Sequence, residues 1–206
     1  MFITFEGPDG SGKSTIINLV SEKLKELNYD IVQTREPGGT RISEKLRDII
    51  LDRENTELTA RTEALLYAAA RAQHVEEFIV PNLNSGKIVL SDRYVLSSLA
   101  YQGAGRELGI ESISEINKFA TNNLEPDLIL FFKVDPLTTL KRKNKLDTAD
   151  RLELEKESFH SRVYNGYISI INKYKNNNNF VEVDATKTIE EVLEFSLYVI
   201  LKSIRG

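Results

Sequence analysis

Near its start the chain reads Gly7-Pro8-Asp9-Gly10-Ser11-Gly12-Lys13-Ser14, a glycine-rich run with the spacing of a P-loop. It follows an apolar, strand-like stretch at residues 2–5 and precedes a helical pattern that has Ile16 and Leu24 on one face. Glycines let successive backbone N–H groups surround a phosphate, and the helix N-terminus adds partial positive charge. The run therefore predicts a site for a nucleoside triphosphate, in which Lys13 reaches the phosphates and Ser14 offers a hydroxyl to Mg²⁺.

Composition favours one globular domain that binds small anions. The chain has 206 residues, 41% hydrophobic and 28% charged, which is enough for one substantial core. Its 27 basic and 31 acidic residues give a net charge of −4, which argues against a general binder of nucleic acid or anionic membranes. The absence of cysteine excludes disulfides and thiolate metal sites. Because no leader or membrane-spanning apolar run is found, we expect a cytoplasmic protein.

Strand and helix patterns alternate along the rest of the chain. Further strand-like apolar runs occur at residues 31–32, 88–90, 128–132 and 180–183, with helical periodicity between them. This order predicts an α/β fold, a five-stranded parallel sheet with helices on both faces. Asp92 follows the third strand, and the carboxyl end of a strand is where such folds place catalytic groups.

Helix boundaries are indicated by periodicity and capping patterns. The longest helical pattern runs from Leu58 to about Leu83, and its predicted apolar stripe consists of Leu65, Leu66, Ala69, Val75, Phe78 and Ile79. Capping-box patterns at residues 112–115 and 188–191 predict the starts of two later helices.

Four motifs, taken in order and spacing, carry a family resemblance. They are Phe5-Glu6-Gly7, Thr34-Arg35-Glu36-Pro37-Gly38-Gly39-Thr40, Asp92-Arg93-Tyr94 and Ala100-Tyr101-Gln102-Gly103. Together they closely resemble thymidylate kinases of the bacterial type, from Phe2 to about Tyr167. The resemblance implies a P-loop NTPase fold and a Mg²⁺- and ATP-dependent enzyme that phosphorylates dTMP to dTDP for dTTP synthesis. It also implies a homodimer, and one kinase domain over residues 1–206 with a lid at about 141–157.

For the phosphoryl donor, the resemblance gives roles to the P-loop and to the third strand end. Gly7 through Ser14 would bind ATP, with Lys13 as a catalytic residue. Asp92 resembles the acid that orients Mg²⁺ through water, and the metal site would comprise Ser14 and Asp92. Arg93 resembles an arginine that touches donor and acceptor phosphates, a bridging task that suits a planar fork of donors. Residues 184–186 look like the adenine-side loop of that family.

For the acceptor dTMP, helical spacing adds to the resemblance. Tyr67 and Arg71 are four apart on one helix, so a ring can stack on thymine while a guanidinium binds its edge. Ser98 and Gln102 have the same spacing and look like groups that read the pyrimidine. By resemblance alone, Arg47 clamps the phosphate of dTMP, Tyr101 crowds the sugar 2′ position and Asp9 faces the sugar. The whole dTMP-binding set is Asp9, Glu36, Arg47, Tyr67, Arg71, Ser98, Tyr101 and Gln102.

The lid offers several cations for the transferred phosphoryl group. The P-loop itself has no basic residue before Lys13, so a cation over this group must come from elsewhere, and the charge-dense residues 141–151 are the obvious source. Arg142 and Arg151 match catalytic arginines of the family, whereas relatives often carry further arginines where this chain has residues 143–146. The choice among Arg142, Lys145 and Arg151 stays open, and our hypothesis is that Arg151 is required for the chemical step.

Two other functions compete with this interpretation. Residues 144–147 spell the guanine-reading N-K-x-D pattern of GTPase switches, but they lie in a charged helical stretch instead of directly after a strand. The closer alternative is a kinase on the same scaffold that acts on another small acceptor. The pyrimidine-reading set favours dTMP, and a panel of acceptors separates the alternatives.

Overall fold

A computed structural model describes residues 1–134 and 150–205 of the chain. In this part, five strands form one sheet: β1 Phe2–Glu6, β2 Ile31–Arg35, β3 Ile88–Asp92, β4 Leu128–Lys133 and β5 Phe180–Asp184. Their order is β2-β3-β1-β4-β5, and every neighbouring pair is parallel. The α/β fold with a five-stranded parallel sheet, predicted from the sequence, is confirmed.

Helices cover both faces of the sheet. They are α1 Lys13–Glu26, α2 Arg41–Leu51, α3 Ala60–His74, α4 Val80–Asn84, α5 Val95–Ser98, α6 Ile110–Thr121, α7 Glu157–Tyr174 and α8 Ile189–Arg205. Wider π-type turns at Val75–Ile79 and Leu99–Gly105 link α3 to α4 and extend α5. Helices α1 and α8 pack on one face of the sheet, and α3, α5, α6 and α7 belong to the apolar cores of the other. Among the helices described, none has the length and apolar character needed to cross a bilayer.

The long helical pattern is one continuous path, but the prediction of its apolar stripe is wrong at Leu65 and Ala69, which are exposed. Thr59 caps α3, and the path continues through the π-type turn to Asn84. Leu65 is 57% exposed, whereas Glu63 and Arg71 on the same helix are buried. The buried face of α3 carries polar side chains that bind residues of other elements, so hydrophobic periodicity indicated the wrong face there. In the later part of the stripe, Val75 and Ile79 are buried as predicted.

The two capping-box predictions have different outcomes. At Thr188 the backbone N–H donates to Glu191 Oε2 at 3.0 Å, and the Glu191 N–H donates to Thr188 Oγ1 at 3.3 Å, which confirms that box. The prediction at residues 112–115 is wrong, because α6 already begins at Ile110. The chain enters that helix through Gly109 in the left-handed region, with φ 86°, which glycine adopts without a side-chain penalty.

Candidate active site

The loop of residues 7–12 joins the central strand β1 to helix α1. Gly7 has φ 138°, and a side chain there would place a Cβ 2.7 Å from the carbonyl oxygen of Phe132, so only glycine fits. Gly12 has φ 89° and directly precedes the first helical residue, which turns the N-terminus of α1 toward the concave side of the loop. Glycine geometry thus forms the backbone cradle that the sequence predicts.

Lys13 lies folded against this loop. Its Nζ donates to the carbonyl oxygens of Gly7 at 3.0 Å and Pro8 at 2.9 Å, and only 5% of the residue is exposed. Burial, followed by the nearby positive charge of Arg93, lowers the pKa of Lys13 to about 8. A poorly hydrated ammonium group in a ring of backbone atoms is a strong partner for an incoming anion.

A hydroxyl and a carboxylate meet at the mouth of the loop. Strand pairing sets Phe5 of β1 beside Asp92 at the end of β3, and Ser14 Oγ donates to Asp92 Oδ2 at 2.7 Å. Within the described residues, no group of three acidic or histidine side chains could hold a metal ion by itself. The all-oxygen pair fits Mg²⁺, which commonly binds one or two protein oxygens and completes its shell with water and phosphate.

Arg93 stands between the P-loop and a neighbouring cavity. Its φ is 74°, and its Nη1 donates to Gly7 O at 3.1 Å and Ser97 Oγ at 2.8 Å, while Nη2 is paired with Asp9. The hydroxyl of Tyr101 donates to the other oxygen of Asp9 at 2.6 Å. Burial and then the Asp9 carboxylate raise the pKa of Tyr101, so this phenol stays a donor. The fork of Arg93 is therefore held in place between the P-loop and this cavity.

The neighbouring cavity, which we call the acceptor cavity, has a volume of about 230 Å³. Every residue of the predicted dTMP-binding set lines it: Asp9, Glu36, Arg47, Tyr67, Arg71, Ser98, Tyr101 and Gln102. These side chains come from the P-loop, the loop after β2, and the helices α2, α3 and α5 with its π-type extension. The fold thus brings the set together, while the role of each member stays a prediction.

Arg71 is fixed in this cavity by buried partners. Its Nε donates to Glu36 Oε2 at 2.6 Å, Nη1 donates to Ser98 Oγ at 3.0 Å and to Asn117, and Nη2 donates to the Tyr94 carbonyl at 3.0 Å. Burial alone would raise the pKa of the Glu36 carboxylate, but Arg71 and His74 hold this pKa below its usual range. Four of the five N–H groups are engaged, so the fifth is the one that can meet a ligand in the cavity.

His74 completes this cluster as a structural residue. Its Nδ1 lies 2.9 Å from Glu36 Oε1, its Nε2 lies 2.7 Å from Thr34 Oγ1, and the side chain is fully buried. Both ring nitrogens therefore have partners inside the protein, as expected of a histidine that serves the structure.

Arg47 and Arg35 form the basic end of the acceptor cavity. Arg47 Nη1 donates to the Pro37 carbonyl at 2.7 Å, and both side chains line the cavity. Arg35 makes a two-point pair with Glu44, at 2.7 and 3.1 Å. The sequence did not identify Arg35 as a site residue, although Arg35 lies inside the family motif at residues 34–40. Other lining residues that were missed, such as Ser97 and Asp150, stand in no pattern that a single sequence reveals.

The lid candidates have separate outcomes. Arg142 and Lys145 lie outside the described residues, as does the N-K-x-D pattern at 144–147. Arg151 Nη2 donates to Glu63 Oε2 at 2.6 Å, and its Nε donates to the Ile50 carbonyl at 2.9 Å. Its side chain is 10% exposed and lines none of the cavities around the P-loop. Its requirement for the chemical step stays a prediction, and in this geometry Arg151 ties its part of the predicted lid segment to α2 and α3.

Two further concave surfaces continue from the acceptor cavity. A cavity of about 320 Å³, the phosphate cavity, is lined by residues of the P-loop together with Asp92 and Arg93. A groove of about 290 Å³ is lined by Gly10, Gly12, Ala185 and Lys187 among others. Since Ala185 belongs to the predicted adenine-side loop, the groove lies where adenine is expected. The phosphate cavity shares residues with both neighbours, so the three surfaces form one continuous site.

Comparisons with known proteins agree with this arrangement. The chain matches the family model described as thymidylate kinase over residues 5–195. It is 64% identical to a thymidylate kinase of Finegoldia magna, over 93% of each chain. It is 46% identical to a thymidylate kinase of Geobacillus sp. strain WCH70, over 100% of this chain and 98% of the relative. Among solved structures, thymidylate kinase from Ehrlichia chaffeensis matches with a TM-score of 0.77 and 30% identity, over 97% of this chain and 98% of that chain.

Proposed function

This chain belongs to the thymidylate kinase family, and we propose which of its residues carry out the family's reaction. The enzyme phosphorylates dTMP to dTDP with ATP as the donor, a step in dTTP synthesis. Membership of this family sets aside both the GTPase switch and a kinase for an unrelated acceptor. The observation that carries the residue-level proposal is the phosphate cavity, which joins the groove beside Ala185 to the acceptor cavity through Asp9 and Arg93.

On the donor side, the P-loop holds the triphosphate. Backbone N–H groups of the glycine-rich loop, to which Pro8 contributes none, surround its phosphates, and Lys13 neutralises charge on them. Ser14 and Asp92 would hold Mg²⁺, which supplies positive charge to the phosphates when it is bound. The adenine lies in the groove beside Ala185. These assignments place the terminal phosphoryl group in the phosphate cavity.

On the acceptor side, side chains orient dTMP. Tyr67 stacks on thymine, while Arg71 and Gln102 meet its edge, and Arg47 binds the 5′-phosphate. Tyr101 and Asp9, already hydrogen-bonded to each other, lie against the sugar. Burial raises the pKa of Tyr67, so its hydroxyl stays neutral beside the base.

The transfer needs position and charge more than acid–base chemistry. The attacking oxygen belongs to a phosphate that is already an anion, so no side chain has to remove a proton from it. Two anionic reactants repel each other, and holding them in line removes much of the barrier. Arg93 lies between the two cavities with a fork that can contact both phosphates as charge spreads over the transferred group. Whether Arg142, Lys145 or Arg151 adds a further cation is a question for variants at these positions.

We treat residues 1–206 as one kinase domain with a lid at about 141–157, because the single sheet takes its strands from both ends of the chain. The cytoplasm stays the predicted location of the enzyme. The proposal is tested by ADP release from MgATP with dTMP, dUMP, UMP, dCMP, AMP and GMP offered separately. We expect strong preference for dTMP, and equal turnover of dTMP and dCMP would contradict the placement of the base.

We also propose a homodimer through helices α2, α3 and α6. These helices pack side by side, and their outer surface carries Ile42, Ile49, Leu65 and Phe119, which is 91% exposed. Exposed apolar side chains on neighbouring helices favour association with a second copy. Sedimentation equilibrium should give a dimer for the natural chain and a monomer for Leu65→Glu. The matched control is Tyr198→Glu, which places the same charge at an exposed apolar position of α8 and should leave the dimer intact.

A further inference from the structure

Glu63 on α3 is a buried carboxylate beside the acceptor cavity, but it does not line that cavity. Its Oε1 accepts a hydrogen bond from Gln102 Nε2 at 2.9 Å. Its Oε2 accepts from Arg106 Nη2 at 2.9 Å and from Arg151 Nη2 at 2.6 Å. A buried charge is tolerated when such partners compensate it, and here two guanidinium groups do so.

The contact with Glu63 fixes the orientation of the Gln102 amide. A carboxylate can only accept hydrogen bonds, so the NH₂ group of Gln102 must be the end that faces it. The amide oxygen then points away from Glu63 and is the atom that Gln102 can present to the cavity it lines. Since Gln102 is 1% exposed, solvent offers the amide no substitute partner if it turns around.

The Glu63 carboxylate is itself held by Arg106. Arg106 also bonds Glu63 through Nε, at 3.2 Å to Oε1 and 3.1 Å to Oε2. Arg106 Nη1 donates to Glu155 Oε1 at 2.5 Å, and its guanidinium lies 4.6 Å from the centre of the Phe159 ring. A planar guanidinium that makes several bonds stabilises the buried carboxylate, and Arg151 bonds the same Oε2 independently of Arg106. The direction of the Gln102 amide is thus set by Glu63, a residue that does not line the acceptor cavity.

The fixed amide gives the cavity a defined hydrogen-bonding polarity. Arg71 offers an N–H donor and Gln102 offers an oxygen acceptor, and both residues line this one cavity. The edge of thymine has the matching pattern, an acceptor O4 beside a donor N3–H. Cytosine reverses both groups, with a donor amino group at C4 and an acceptor N3, and a buried mismatch of this kind is costly.

We propose that Glu63 is a positioning residue that sets the direction of the Gln102 amide and thereby the preference of the enzyme for thymine over cytosine. The inference rests on the proposed placement of the base at Arg71 and Gln102. A neutral amide at position 63 could donate as well as accept, so the constraint on Gln102 would be lost.

The test is the variant Glu63→Gln, whose side chain keeps the size of the natural one. kcat/KM for dTMP, and kcat/KM and the inhibition constant of dCMP, are measured on the same preparation. We expect the preference for dTMP over dCMP to fall about tenfold, as one relieved hydrogen-bond mismatch allows. Because the preference is a ratio within one sample, a lower folded fraction does not change it. An unchanged ratio in both measurements would overturn the inference.

Two further variants separate the possible causes. Arg106→Gln disturbs the same buried network but leaves the carboxylate facing Gln102, so the dTMP to dCMP preference should stay as in the natural enzyme. An equal loss of preference in Arg106→Gln and Glu63→Gln would mean that any disturbance of the buried network lowers the preference, and it would also overturn the inference. Gln102→Ala reports on the placement of the base. If Gln102→Ala leaves the preference for dTMP over dCMP unchanged, the proposed pocket itself is wrong. If Gln102→Ala changes this preference and Glu63→Gln does not, only the role of Glu63 is refuted.

Discussion

The donor and acceptor sides of this active site are built by different means. Residues 7–14 of the donor side are one continuous segment, and much of what they present is backbone held by glycine geometry. The acceptor side uses side chains from several distant segments, and buried partners such as Glu36 and Glu63 orient them. Phosphate binding needs a shape that a short motif can encode, whereas choosing a base needs oriented side chains with their own supports. Changes on the donor side should therefore affect catalysis, and changes on the acceptor side should affect selection.

The largest effect is expected for Lys13→Ala. Loss of the ammonium group removes charge stabilisation from the transferred phosphoryl, and kcat should fall by about 10³-fold. The dissociation constant of dTMP, measured by calorimetry, should stay within about twofold, because Lys13 does not line the acceptor cavity. A comparable weakening of dTMP binding would remove the distinction between the two sides.

Arg71→Lys should give the strongest effect on the acceptor side. Lysine keeps a positive charge near Glu36 but cannot replace the planar fork that bonds Glu36, Ser98 and the Tyr94 carbonyl. We expect KM for dTMP to rise about 100-fold while KM for ATP stays nearly constant, with initial rates as the measurement. An unchanged KM for dTMP would show that the base does not reach Arg71.

Selection at the sugar should weaken in Tyr101→Ala. If the ring crowds the 2′ position, its removal should lower the kcat/KM preference for dTMP over the thymine ribonucleotide, which carries a 2′-hydroxyl, by about tenfold. Tyr101→Phe is the matched control, because it keeps the ring and loses only the hydrogen bond to Asp9. Equal loss of sugar preference in the two variants would assign the selection to the hydroxyl and contradict crowding.

ATP binding should depend on pH through Lys13. Its pKa of about 8 means that the ammonium form dominates below that pH and is lost as the pH rises through it. A bound triphosphate favours the charged form, so KM for MgATP should rise a few-fold between about pH 7 and about pH 9. Calorimetry at about pH 8.5 in two buffers of different ionisation enthalpy should show proton uptake on binding. Binding without proton uptake would exclude Lys13 as the titrating group.

The smallest effect is expected for Tyr67→Phe. Stacking depends on the ring, which phenylalanine keeps, so kcat/KM for dTMP should change by less than about threefold. Tyr67→Ala serves as the contrast and should raise KM for dTMP well above this range. A large loss in Tyr67→Phe would mean that the hydroxyl, instead of the ring face, contacts the nucleotide.

The local geometry of the proposed donor side is largely predictable from the sequence. A P-loop is a local pattern whose strand before and helix after can be recognised in one chain, and the sheet with its β1 and β3 neighbours then brings Asp92 to Ser14. The parallel sheet was predictable for the same reason, since apolar strands alternate with amphipathic helices. The four-residue spacing that links Tyr67 to Arg71 also placed both at one cavity.

The acceptor side was only partly predictable, because its supports are long-range. The apolar stripe expected on α3 leaves Leu65 exposed, since the buried face instead holds Glu63, Arg71 and His74. No periodicity in one sequence distinguishes such paired charges from a solvent-facing surface. The contact of Arg151 with Glu63 joins residues 88 positions apart, and the sequence gives no sign of it.

A crystal structure with dTMP and a nonhydrolysable ATP analogue bound together tests the two-sided assignment most directly. We expect the triphosphate along residues 10–14 with adenine beside Ala185, and thymine with its edge at Arg71 and Gln102. The two reacting phosphates should meet beside Arg93. Thymine in the groove beside Ala185, or the phosphate of dTMP seated in the P-loop, would contradict the assignment.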